Sequence, residues 1–257
     1  MTARFDLLSL VGIAIGLAAV LVGNQLEGGS LSMLLNLPAA LIVLGGTIGA
    51  IVLQTPGAQL ARALRLLRWV FLPPVSLSAG AVERLALWAK RTRVSGMLAL
   101  ENEANRLQDP FVRKGLELII DGSEPATVRH ALELELHSAL DRDLAAAAVF
   151  RNMGGYAPTI GIIGAVLGLM QVMGNLADPS ELGPGIATAF VATIYGVGFA
   201  NLLLLPIADR LRALVMRQSR EKTLWIEGLL GIAHAEHPQQ IRTRLAALDP
   251  SVVEKGT

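Results

Sequence analysis

Hydrophobic positions fall into four long runs, at residues 7–23, 35–53, 154–174 and 186–207, and none of these runs contains an acidic, basic or histidine side chain. A helix needs about 20 apolar residues to cross about 30 Å of hydrocarbon, so each run predicts a membrane-spanning helix. The first run, with Arg4 ahead of it, has the outline of a signal peptide. However, Asn24-Gln25-Leu26-Glu27-Gly28-Gly29 offers no small-x-small cleavage pattern, and a second apolar run follows at once. Between the second and third runs the pattern becomes amphipathic. Leu60, Leu64, Leu67 and Trp69 are interleaved with Arg62, Arg65 and Arg68 up to Pro73-Pro74, as expected of a helix anchored at headgroup level. Helices are then predicted over 79–94, 97–107 and 110–120, with breaks at Gly96 and Asp109-Pro110. A longer helix opens near Ser123 as N-cap, with Glu124 and Pro125 in its first turn, and runs through Leu132, Leu136, Leu140 and Leu144 into the third span. The fourth span continues as a charged helix through Arg210, Arg212, Arg217, Arg220 and Lys222.

Charge gives the orientation. Of the 22 Lys and Arg, Arg4 precedes the first span, 13 lie in 54–153 and 8 follow the fourth span. The two short connections hold none, although Glu27, Asp178 and Glu181 lie there. The positive-inside rule therefore puts both termini and the central segment in the cytoplasm. The expected fold is all-α: a polytopic membrane protein with four transmembrane helices, a helical cytoplasmic domain between spans 2 and 3, and cytoplasmic extensions of helices 3 and 4. The corresponding divisions are 1–53, 54–153, 154–207 and 208–257. Composition agrees, with 53% hydrophobic and 17% charged residues against about 25% charged in globular chains. A net charge of +1 gives no support to a nucleic-acid binder.

The spans are rich in small residues. The second holds Leu44-Gly45-Gly46-Thr47-Ile48-Gly49, the third places Gly161, Gly164 and Gly168 on one helical face, and the fourth carries Ala187, Ala189, Ala192, Thr193, Gly196 and Ala200. Small stripes let backbones approach closely in lipid, where no hydrophobic effect drives association. Such stripes serve either the chain's own bundle or an intersubunit surface. Ion carriers usually hold Asp, Glu, Lys, Arg or His at membrane depth, and these spans have none, so the titrating group in any ion pathway must come from a partner.

Catalytic patterns are weak, and no enzyme or cofactor is expected. The chain has no cysteine, which excludes disulfides, thiol catalysis and cysteine-based metal sites. His130, Glu133 and His137 lie within helical reach of one another, as do His234 and His237, but charged helix faces bring such residues together by chance. Gly161, Gly164 and Gly168 do not form a nucleotide-binding loop, because no strand precedes them and no acidic residue follows at the required distance.

The run from Ala157-Pro158-Thr159 through Gly161, Gly164 and Gly168 to Leu169, followed by an acidic loop, Gly183-Pro184-Gly185, Ala192-Thr193-Ile194-Tyr195-Gly196 and Leu205-Pro206-Ile207, resembles the MotA/PomA family of flagellar stator subunits. The resemblance covers nearly the whole chain. It includes Gly45-Gly46-Thr47, the four-span order, and Arg93 with Glu101 in the central segment. It implies a homo-pentamer of A-type chains in the bacterial inner membrane. The pentamer surrounds B-type subunits with a single span, an intramembrane Asp and a peptidoglycan-binding domain, and ion flow turns the ring against the rotor protein FliG. By the same resemblance Pro158 and Pro206 are hinge or ion-pathway positions, Thr193 faces the ion path, and Arg93 and Glu101 contact the rotor. Ala165 stands where sodium-driven members carry a second Thr, which implies that the transported ion is the proton. The rival reading is the related ExbB/TolQ class, which energises outer-membrane transport or envelope processes and typically has three spans with an outside N-terminus. A passive membrane scaffold is the third.

Overall fold

The computed structural model describes residues 6–74, 80–174 and 179–248, and every regular element among them is helical. Four helices are long and apolar enough to cross a membrane. Packing divides the chain into two units, Met1–Pro74 with Arg142–Leu214, and Val75–Asp141 with Val215–Thr257.

In the first unit, α1 (Leu7–Leu26) opens at Asp6, whose carboxylate accepts from the Leu8 N–H at 3.1 Å. None of its residues is buried. The second span is α2 (Leu37–Ala40), a π-helical turn at Leu41–Gly45, and α3 (Gly46–Gln54). It starts on a capped turn, with the Asn36 side chain accepting from the Ala39 N–H at 2.9 Å and Pro38 in the first turn. Next come α4 (Gly57–Leu67) and a 3-10 turn at Arg68–Val70. Ala63, Leu66 and Val70 turn inward, while Arg65 and Arg68 stay exposed. The third span lies in α8 (Pro125–Gly174). The fourth is α9 (Pro179–Phe199), a second π-helical turn at Ala200–Leu204, and the start of α10 (Leu205–Ala233). One apolar core gathers Ile51, Ala63, Leu66, Phe150, Leu204 and Leu211.

The second unit holds α5 (Ala81–Ser95), a 3-10 turn at Met97–Leu100, α6 (Glu101–Arg106), α7 (Pro110–Ile120), the first part of α8, the last part of α10, and α11 (Pro238–Leu248). Its core is bulky, built on Trp88, Phe111, Leu132, Trp225, Leu229 and Ile241. The rings of Trp88 and Trp225 lie 5.8 Å apart at 43°. The start of α7 follows the sequence reading: Asp109 accepts from the Phe111 and Val112 N–H groups at 2.9 and 3.1 Å, with Pro110 as the first helical residue.

Two sequence expectations shift, and a third falls where nothing tests it. Ser123 is not the N-cap of α8. Gly122, at φ +76°, donates to the Ile119 carbonyl and Ser123 donates to that of Leu118, so both residues close α7 in a Schellman motif. Residues 97–107 begin as a 3-10 turn rather than an α-helix. Ala79, the expected start of α5, lies outside the described residues.

Candidate functional site

The third and fourth spans approach each other closely, and glycine makes the approach possible. A Cβ added at Gly196 would sit 2.5 Å from the Ala157 carbonyl oxygen and 3.1 Å from the Gly161 Cα. One at Gly161 would meet the Ala192 carbonyl oxygen at 2.9 Å, and one at Gly168 the Ala189 nitrogen at 2.8 Å and the Gly185 oxygen at 2.9 Å. At Gly164 the neighbour is the Ala192 Cβ at 2.7 Å. The small stripes of these two spans therefore face each other within one chain. Gly46 packs differently, under the Ile160 side chain at 2.8 Å. Around an added Gly45 Cβ there is nothing within 4 Å among the described residues.

Pro158, Thr193 and Ala165 flank this seam. The Pro158 Cα lies 3.2 Å from where a Gly196 Cβ would be. Lacking an N–H, Pro158 cannot donate to the Gly154 carbonyl one turn below it. Thr193 follows Ala192, the residue wedged between Gly161 and Gly164. Its side chain is exposed, and its hydroxyl donates to the Ala189 carbonyl at 3.3 Å, a long back-bond within its own helix. Ala165 is half-buried, two helical turns above Pro158. Beside these residues Ile162, Ile163, Val166, Phe190, Ile194 and Val197 are exposed. Pro206 is the second residue after the second π-helical turn, where the Leu205 N–H reaches back five residues to the Ala200 carbonyl. π-helical turns recur at functional positions, and this one stands beside a proline that cannot donate to Leu202.

The sequence reading passed over a polar lock centred on Asn36 and Thr188, at the end of the seam remote from Pro158, and reached by the Tyr195 side chain. Asn36 Nδ2 donates to the Thr188 hydroxyl at 2.9 Å, the Thr188 hydroxyl donates to the Pro184 carbonyl at 2.9 Å, and the Tyr195 hydroxyl donates to the Leu34 carbonyl. Asn36, Thr188 and Tyr195 are polar members of apolar runs, and nothing in their spacing says that they meet. At the other end, ion pairs tie the helices together. Arg62 on α4 binds the buried Asp143 on α8, Arg151 binds Asp209, and Arg210 binds Asp6. The hydrogen bond to Asp143 holds the Arg62 guanidinium above its ordinary range against the opposing effect of burial.

In the second unit Arg93 and Glu101 are both exposed, on either side of the turn at Gly96, which has φ +77°. Arg93 donates to the Ala235 carbonyl at 3.3 Å. Arg91 and Glu103 pair with each other, and among the described residues no ion pair engages Arg93 or Glu101. Glu133 pairs with Arg129 at 3.2 Å, while His130 and His137 are exposed. No cluster of His, Asp and Glu among the described residues has a metal-binding arrangement.

Fold and seam define an all-helical, multi-pass membrane protein whose apolar spans carry no acidic, basic or histidine side chain. Residues 103–223 match the MotA/TolQ/ExbB proton channel family, and residues 10–95 match the motility protein A N-terminal family. Motility protein A of Bacillus subtilis is 33% identical over 247 residues, which is 96% of this chain and 92% of that protein. Chemotaxis protein PomA of Vibrio alginolyticus is 30% identical over 240 residues, 93% of this chain and 94% of the other. The chain superposes on the flagellar MotAB stator complex from Bacillus subtilis with a TM-score of 0.89, 33% identity, and coverage of 96% and 97%; MotAB from C. jejuni gives 0.89 at 27% identity, with coverage of 95% for each chain. The chain belongs to the MotA/TolQ/ExbB proton channel family.

Proposed function

We infer that this chain is the A-type subunit of a flagellar stator, converting ion-motive force into torque together with a B-type subunit. The observation that carries the reading is the likeness to the MotAB stator complex along nearly the full chain, joined to four spans without a single acidic, basic or histidine residue. An ion cannot be handed across about 30 Å of hydrocarbon by this chain alone. A carboxylate on a partner helix supplies the missing group. The match to the motility protein A N-terminal family over residues 10–95 favours this assignment over envelope energisation of the ExbB/TolQ kind.

In this reading five copies surround the B-type subunits in the bacterial inner membrane, with both termini in the cytoplasm, as the distribution of Lys and Arg requires. The seam flank bearing Pro158, Thr193 and Ala165 faces the partner's carboxylate. There the carbonyl that Pro158 leaves without a donor, together with the Thr193 hydroxyl, gives the ion polar contacts in an apolar wall. With Ala165 in place of a hydroxyl, the wall has fewer oxygen ligands for a hard metal cation, and the transported ion is the proton. Arg93 and Glu101, exposed and outside any ion pair among the described residues, face the rotor protein FliG. Exposed charges set orientation and encounter rate more than affinity, which suits a contact made and broken at every step.

The test is to isolate the tagged chain from native membranes in mild detergent and identify what accompanies it by mass spectrometry. The expected companion is a single-span protein with an intramembrane Asp and a peptidoglycan-binding domain. A partner of the ExbD/TolR type would move the function to envelope energisation, and no stoichiometric partner would leave a scaffold.

A further inference from the structure

We propose that the groove between α1 and the end of the fourth span is a binding site for a zwitterionic phospholipid, with phosphatidylethanolamine as its ligand. A cavity of about 530 Å³ opens there, walled by Gly12, Gly16, Leu202 and Ile207 and closed at one end by Asp6 and Arg210. That volume is in the range of sites for small molecules. The cavity exists because α1 carries glycines where it passes the π-helical turn. An added Cβ at Gly16 would already meet the Leu202 Cδ2 at 3.3 Å, whereas one at Gly12 would meet nothing within 4 Å.

The charged end lies at headgroup depth. The Asp6 N–H donates to the Phe71 carbonyl at 2.9 Å, which ties the start of α1 to the 3-10 turn carrying Arg68 and Trp69. Basic and aromatic residues of this kind settle at the membrane interface. The long apolar walls then run along the acyl region.

Charge decides the headgroup. Arg210 is 43% exposed and presents a fork of several N–H donors, only part of which Asp6 engages. Such a fork suits a phosphate. The Asp6 carboxylate accepts from the Leu8 N–H at 3.1 Å, from the Ser9 hydroxyl at 3.2 Å and from Arg210, which leaves one of its lone-pair sites for a further donor. A purely anionic lipid would place its phosphate beside Asp6 with only Arg210, already paired with that carboxylate, to offset the repulsion. An ethanolamine headgroup matches both ends, with phosphate on Arg210 and ammonium on Asp6.

The test uses the intact stator complex, stripped of lipid in detergent and given equimolar phosphatidylethanolamine and phosphatidylglycerol, with retained lipid counted by native mass spectrometry. The wild-type complex is expected to hold phosphatidylethanolamine preferentially. Gly12→Phe fills the cavity without a backbone clash and is expected to lower that retention about tenfold, while Arg210→Gln should abolish the headgroup preference. Equal retention by wild type and Gly12→Phe, or preference for phosphatidylglycerol, would overturn the proposal. So would capture of a second copy of this chain by a photo-reactive side chain placed at Gly12, which would show that a second copy fills the groove.

Discussion

The two units are built from the same element, yet they close their helices with opposite kinds of residue. In the membrane unit the seam between the third and fourth spans is glycine against backbone, with Gly161 and Gly196 so close that no Cβ fits. In the second unit the helices are held apart and together by Trp88, Phe111, Trp225 and leucines. The difference lies in the solvent. In water, burying a large side chain is the dominant favourable term. In lipid, apolar bulk gains nothing from association, so stability comes from close van der Waals approach. An exposed leucine on α1 is therefore as ordinary as a buried one in the second unit.

The largest expected effect falls on the bulky core. Trp88→Ala should destabilise the second unit by about 4 kcal/mol, and hydrogen exchange should rise across α5, α7 and α11 while the four spans keep their protection. A rise shared equally by the spans would mean that the units do not differ in what holds them.

Somewhat smaller is Gly196→Val, expected to cost about 3 kcal/mol because the obstruction is backbone rather than a movable side chain. The yield of folded protein in detergent should fall, while Gly45→Ala, with open space around it, should leave the yield unchanged. If the two glycines responded alike, the seam would not be the contact that matters.

The smallest effect is a gain. Ala235, at φ +53°, closes α10 in the left-handed conformation, its N–H donating to the Ile232 carbonyl at 2.9 Å. A side chain is disfavoured there, so Ala235→Gly should stabilise the second unit by about 1 kcal/mol. Protection from exchange in α10 and α11 should increase; a decrease would show that Ala235 carries no strain.

Much of this was legible in the sequence because membrane insertion imposes a coarse rule. Uncharged runs of the right length marked all four spans, and Asp109-Pro110 marked the start of α7 by a cap and a fixed φ. The π-helical turns were not legible. Each inserts one residue into a span, and a continuously apolar run has no polar marker to reveal a slip in register; Pro206 was the one hint beside the second turn. Ser123 misled because a residue suited to starting one helix was used to finish the one before it. For the candidate site, glycine spacing exposed the seam, since its period is helical. The lock of Asn36, Thr188 and Tyr195 stayed hidden, because its members come from distant parts of the chain and meet only once α2 is laid against α9. Arg93 and Glu101 were legible through resemblance alone, since a solvated helix face carries the same charges.

The central claim is that ion movement is coupled at the flank of the glycine seam, by a chain that lends backbone and hydroxyl oxygens to a carboxylate it does not own. Its most direct test is Pro158→Leu, read in one experiment for swimming and for recovery of the B-type partner from solubilised membranes. The account predicts cells that do not swim, with the partner recovered at the wild-type ratio. Swimming cells, or loss of the partner together with motility, would contradict it.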